Sequence, residues 1–277
     1  HQGAALWICA AGSGLAAVVC PPIITAIVEC SSLPTAFLAE AGFILLCAGV
    51  VFAAIRNSPA ERSTVAYDAA QAQQKRVDHY GGDVSRPAFV GLCALYFLLG
   101  GIMVVDTGYV STLYVESGHS AVMISFLLSI NGVLLAVGKV LYGANADRKG
   151  GHWANRIFLC FLLVGQLFHC CSALGSYPLA VLAQVATGIG LPVGTVGVSI
   201  TAMNFSSQEN FPRLVKIMQT MVNVGLLTFS MVPGVLADVS GHYRISFVLC
   251  AGMVAMYFLV LELMYFYKYK THIRTGI

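Results

Sequence analysis

The chain has 277 residues, of which 58% are hydrophobic and only 10% charged, with a formal net charge of +3 and a mean hydropathy of +0.80. Soluble domains carry roughly 25% charged residues, and a large soluble helical core would need polar faces, whereas the runs here are apolar nearly all round. The composition therefore excludes an ordinary soluble domain and places the chain in a bilayer.

A spanning helix needs about 20 mainly apolar residues. Eight runs meet that length, near 4–28, 36–56, 88–115, 120–143, 156–174, 178–203, 214–237 and 245–267. The predicted fold class is all-α, a polytopic membrane protein with eight transmembrane helices. The chain opens His1-Gln2-Gly3, with no initiator Met and no basic region, apolar stretch and cleavage site in succession. A start inside a longer protein is expected on that ground.

The first two spans, within 1–56, are followed by a polar stretch over 57–87 that holds Gly81-Gly82 and mixed charges. It is predicted to be a linker, because it offers little apolar surface to bury. Six further spans fill 88–277. The third run carries Asp106 and Tyr109, the fourth Asn131 and Lys139, the fifth His169, and the last Glu262. The sixth contains "TGIGLPVG" at 187–194. That stretch is weak as a phosphate loop, since glycines inside an apolar helix more often serve close packing.

All of the 15 Lys and Arg except Lys139 and Arg244 fall at the chain's end or on alternate connections: Arg56 to Arg86, Arg148 to Arg156, Arg213 with Lys216, and Lys268 onward. Basic residues are retained in the cytoplasm. Those connections, and both chain ends, are predicted to be cytoplasmic, most naturally in a plasma membrane. The nine cysteines lie in or beside apolar segments without C-x-x-C spacing, so they read as small core hydrophobes rather than metal ligands or disulfides. No metal spacing appears among the histidines. Nothing forms a Ser/His/Asp constellation, a nucleotide loop or a nucleic-acid patch, so neither enzyme chemistry nor a cofactor is expected.

One motif goes further than composition. "GKVLYGANADRKGG" reads G-K-x-x-x-G-x-x-x-D-R-x-G from Gly138 to Gly150. Its glycines would let helices approach closely, and an Asp can sit at the positive N-terminus of a neighbouring helix. The spacing of Gly143, Asp147, Arg148 and Gly150 resembles the loop signature of the major facilitator superfamily, which recurs after the second helix of each six-helix half. The resemblance implies that the six later spans correspond to that family's helices 7–12, the linker to its central loop, and the first two spans to its helices 5 and 6, with the first four absent. "AAGSGLAAVVCPPIITAIVEC" and "GLLTFSMVPGVLADVSGHY" both run from glycine to proline to an acid, Glu29 and Asp238, a weak internal repeat of the kind transporters carry. "FLLSINGVLLAVGKVLYG" and "GGIMVVDTGYVSTLYVESG" are similar to the oxalate/formate antiporter and monocarboxylate transporter group, although Lys139 stands where that group usually has Arg.

The resemblance implies a secondary transporter working by alternating access. A small organic anion, a mono- or dicarboxylate moved by proton symport or exchange, is the expected substrate. The partners are that solute, a proton or exchanged anion, and the lipid bilayer. A neutral or cationic solute, as in drug efflux, and a receptor that kept the fold but lost transport are the alternatives.

Charges inside the spans are the site candidates, because an ionisable residue at the bilayer centre costs roughly 2.5–3.5 kcal/mol on insertion scales. Lys139 lies eight residues before Asp147, about 12 Å inward, and no acid sits one turn away on its own helix. A cation there suits an anionic substrate; a lysine snorkelling along the helix, or paired to an acid from the family's helices 1–4, is the other reading. Asp106, about 27 Å from the cytoplasmic edge, differs from Lys139 in depth by about 15 Å, so direct pairing is not expected. It reads as a protonatable coupling group, with Tyr109 on the same face, or as an outer-interface charge. Asn131 faces either substrate or a neighbouring helix, and Glu262 reads as a headgroup-level charge. Asp147, outside any midplane cavity, is expected to latch one conformation by capping the family's fifth helix near residues 1–5.

Overall fold

The computed structural model describes residue 16, residues 19–54 and residues 84–275, with side chains through residue 53 and from 84 to 268. The described residues are helices and turns, without strands. Residues 22–54 belong to one compact unit and residues from 84 onward to another. Most of the expected 57–87 linker lies outside the described residues, as do both chain ends.

The first unit contains most of α1 (Val19–Cys30) and all of α2 (Leu33–Ala54). Ser32 sets the start of α2, where its Oγ accepts from the Thr35 amide at 3.4 Å, supplying an acceptor for one of the donors a helix N-terminus leaves open.

The second unit is built from α3 (Arg86–Gly108), α4 (Val110–Glu116), α5 (Ala121–Lys149), α6 (Gly151–Ser172), α7 (Tyr177–Gly190), α8 (Val196–Phe205), α9 (Phe211–Phe229), α10 (Val232–Ser240) and α11 (Arg244–Thr275). Proline opens α3, α7, α9 and α10 within their first two positions, where its missing N–H costs nothing. Glycines with positive φ close the turns: Gly150 (87°) separates α5 from α6, and Gly241 (81°) ends α10.

Seven described segments are long and apolar enough to cross a bilayer, so the chain is a multi-pass membrane protein. The expected count of eight is met by seven among the described residues. Much of the run predicted at 4–28 lies outside them, and α1 is its described part.

Three of the predicted spans are broken rather than continuous. The 88–115 span bends at Tyr109 (φ −117°, ψ −3°) between α3 and α4. The 178–203 span is interrupted by a 3-10 turn over Leu191–Gly194, because Pro192 cannot donate to the Gly188 carbonyl four residues earlier. The 214–237 span divides into α9 and α10 just before Pro233.

Helix α6 packs against α7, α3 against α9, α5 against α7, and α11 against both α6 and α3. Glycine sets these approaches. A Cβ placed on Gly100 of α3 would meet the Val222 carbonyl and lie 2.7 Å from the Leu226 amide of α9; one on Gly225 would meet the Phe97 carbonyl. Along α6 and α7, Gly165 and Gly190 leave similar room, with the Thr187 amide at 2.8 Å and the Leu162 amide at 2.6 Å. "TGIGLPVG" thus serves close packing, and in lipid such small-residue seams replace the hydrophobic drive that water would supply.

Candidate functional site

The residues singled out by sequence do not gather at one place. Lys139 is buried at 3% exposure on α5, on the side that also buries Gly138, Tyr142 and Gly143. Its neighbour Gly138 fits against Pro192 and the carbonyls of Gly188 and Ile189, which lie 3.0 to 3.2 Å from where a methyl group on Gly138 would stand. Lys139 therefore lies at the level of the break between α7 and α8, where Pro192 has removed a helical donor.

Asn131, eight residues earlier, takes the helix-facing of its two expected roles. Its amide donates to the Thr187 Oγ at 3.0 Å and to the Gln184 carbonyl at 3.3 Å, tying α5 to α7. Tyr109, at the bend between α3 and α4, donates its hydroxyl to the Ser230 carbonyl at 2.5 Å, and its ring stacks on Tyr243 at 5.8 Å.

Asp106 is buried at 5% exposure within a polar group that the sequence did not assemble. The Gln166 amide donates to its Oδ1 at 2.8 Å, and the His169 Nε2 lies 3.6 Å from the same oxygen. His169 in turn meets the Tyr114 hydroxyl through Nδ1 at 3.1 Å, and Gln184 donates to that hydroxyl at 3.1 Å. These residues come from α3, α4, α6 and α7. The one sequence signal for them was the polar pair Gln166 and His169, one turn apart in an otherwise apolar run.

A second buried network lies toward the basic end of the unit. The Tyr142 hydroxyl donates to Asn155 Oδ1 at 2.5 Å, Asn155 donates to Thr201 at 3.0 Å, and Asn204 donates to the Tyr265 hydroxyl at 2.8 Å. Nearby, Glu262 of α11 binds two residues of α6. It accepts from Arg156 through both oxygens, with Nε to Oε1 at 2.6 Å, and lies 3.0 Å from His152 Nε2. The headgroup-level charge expected there is thus an interhelical clamp beside a 580 Å³ groove lined by Trp153, Ile157, Phe161 and Phe258. Replacing Glu262 with Gln leaves two basic groups facing each other. Because Arg156 is partly exposed, a loss of about 1 kcal/mol is expected. It would be read as a lower unfolding temperature in detergent, and Arg156→Gln in the same chain should add little to it.

The "DRKG" motif is helical for longer than expected. The predicted span stops at 143, but α5 continues through Lys149 before Gly150 ends it. Asp147, Arg148 and Lys149 are exposed on its last turn, with the Lys149 Nζ 5.8 Å from the Trp153 ring, and Gly143 is buried. The proposed capping partner near residues 1–5 falls outside the described residues. Among the described residues, no group of three or more His, Cys, Asp or Glu is arranged to hold a metal.

Apolar spans, glycine seams, broken helices and ionisable groups buried in spanning helices together define a polytopic helical membrane protein. The family model of the Major Facilitator Superfamily matches residues 1–171 and again residues 109–275. The chain belongs to that superfamily, a family of membrane transporters rather than enzymes. No curated protein matches the chain.

Proposed function

We propose that this chain is part of a secondary active transporter that works by alternating access and carries a small organic anion, a mono- or dicarboxylate, by proton symport or exchange. The observation that carries the reading is Lys139, a cation kept at 3% exposure in a spanning helix, where ionisable side chains are costly and mark solute pathways. The end of the second unit bearing Arg148, Lys149, Arg156 and Arg213 faces the cytoplasm, as basic residues dictate. Asp106 is then in the outer half and serves as a protonatable coupling group. Uptake of radiolabelled oxalate, formate and lactate by vesicles holding the full-length protein tests the reading. Accumulation of none of them, with accumulation of a neutral or cationic solute instead, overturns the anion assignment.

Asp147 acts in the conformational latch with Gly143, Arg148 and Gly150 rather than on substrate, since it is exposed at the end of α5. A carboxylate at a helix N-terminus is worth about 0.3–1 kcal/mol when exposed and up to about 2 kcal/mol when partly buried. Asp147→Asn is expected to slow turnover several-fold while equilibrium substrate binding stays near its original value. A large loss of binding with normal turnover would remove Asp147 from the latch.

A further inference from the structure

The polar group around Asp106 contains more hydrogen-bonding capacity than it uses. Asp106 Oδ2, Gln166 Oε1 and His169 Nε2 are all buried and make no hydrogen bond to any described residue, although Asp106 and His169 approach to 3.6 Å. The side chains of both are essentially inaccessible, at 2% and 0% exposure. A buried carboxylate held only by an uncharged amide is expensive. A buried Asp–His pair carries net charge −1 without a proton, zero with one and +1 with two, so in an apolar interior the singly protonated pair is the low-cost state.

The surroundings extend this polar group toward the turn before α5. Beyond His169, the Tyr114 hydroxyl bridges Nδ1 and the Ala180 carbonyl. Beyond Tyr114, the ring of His119 in the turn before α5 packs edge-on with its centroid 5.9 Å from that of Tyr114 and 5.7 Å from that of Tyr177; the residue is partly exposed, while its Nε2 is buried and makes no hydrogen bond to any described residue. Of the titratable groups on the packed elements, Cys250 of α11, whose thiol faces the Ile102 carbonyl, interacts with Asp106 and with Cys170 of α6, and Arg244 at the start of α11 interacts with Cys170. The ring of Phe247 closes the α11 side of His169 at 5.1 Å.

We propose that Asp106 and His169 bind one proton as a unit and exchange it with the turn at His119 through Tyr114. In the transporter read above, on which this part of the assignment rests, that proton is the coupling ion. Each transfer moves one proton and no electrons. As a proton arrives at the Tyr114 oxygen, the hydroxyl proton passes to His169 Nδ1; the proton on Nε2 passes to Asp106 Oδ1. Asp106 becomes an acid, and His169 remains neutral with its proton on Nδ1. Release retraces the same steps.

Infrared difference spectroscopy of the purified full-length protein, titrated from about pH 4 to about pH 9, tests the pair without any substrate. A protonated-carboxyl band that titrates should be present, vanish in Asp106→Asn, and shift its midpoint by about one pH unit or more in His169→Gln. Tyr114→Phe should leave the midpoint near its place but slow the approach to equilibrium after a pH jump. A titrating band that survives Asp106→Asn, the absence of any such band, or a midpoint unmoved by His169→Gln would each overturn the proposal. In vesicles, acceleration of radiolabelled carboxylate uptake by an inward proton gradient should disappear in Asp106→Asn, and its persistence would overturn the coupling role. A titrating Asp106 band in protein that moves no carboxylate would uphold the proton pair and overturn the anion-transport reading; uptake without the band would do the reverse.

Discussion

A methyl group added at Gly225 should prevent α3 and α9 from closing, so the Gly225→Ala protein is expected to be recovered largely misassembled. The reason lies in what the methyl group meets. Its nearest neighbours would be the carbonyl oxygen and carbon of Phe97, the latter at 2.9 Å, and the Cα of Gly100. All are backbone, so no rotamer change relieves the overlap, and the two helices must move apart along their whole seam. Core overpacking ordinarily costs about 1–3 kcal/mol when side chains can adjust; here the cost should exceed about 4 kcal/mol, against a total stability of about 5–15 kcal/mol for a typical domain. Gly252 of α11 is the control, because no described atom lies within 4 Å of a Cβ there. Gly252→Ala should be neutral or gain up to about 1 kcal/mol from helix propensity. Size-exclusion profiles and unfolding temperatures in detergent would compare them. Equal behaviour of the two variants would show that the α3–α9 seam is looser than its geometry states.

The spans and the family motif were legible in the sequence because both are local. Lipid-facing surface demands apolar residues wherever a helix crosses, and the Gly143, Asp147, Arg148 and Gly150 spacing lies within a single stretch. Helix ends were less legible, since hydropathy marks where the membrane stops rather than where the helix does. Nothing between Tyr142 and Lys149 breaks a helix, so α5 runs on to Gly150, whose φ of 87° suits only glycine. Hydropathy reads the spans as continuous, although prolines at 192 and 233 stand at two of the three breaks; the bend at Tyr109 has no proline to mark it.

The candidate site divides the same way. Lys139 and Asp106 stand out in sequence because an isolated charge in an apolar run is conspicuous. Their surroundings do not, because they depend on the rotational setting of other helices. Asp106 meets Gln166 and His169 only because α6 turns that face toward α3. Asn131 had two open readings until the register of α5 against α7 placed it within reach of Thr187. Tyr109, three residues from Asp106, stands at a bend, and its hydroxyl bond to the Ser230 carbonyl is a contact 121 residues apart in sequence that no local pattern shows.

Replacing Lys139 with Gln should abolish carboxylate uptake by the full-length protein, whereas Lys139→Arg should retain part of it. Glutamine keeps the length and polarity of the side chain but removes the charge, and in a low-dielectric interior the charge is the larger share of any attraction to an anion. Arginine keeps the charge while spreading it over a planar fork, so it holds a carboxylate with altered geometry rather than none. A structural role would give a different pattern. Because Lys139 is buried beside the Gly138 contact with the α7–α8 break, a lysine that merely held that break would lower the unfolding temperature when changed to Gln and would depress transport of every solute alike. A lysine that sets substrate charge leaves the unfolding temperature close to its original value and changes which solute moves, with neutral analogues losing least. Carboxylate uptake that is unchanged in Lys139→Gln would take this residue out of the site, and the anion would then have to be recognised elsewhere.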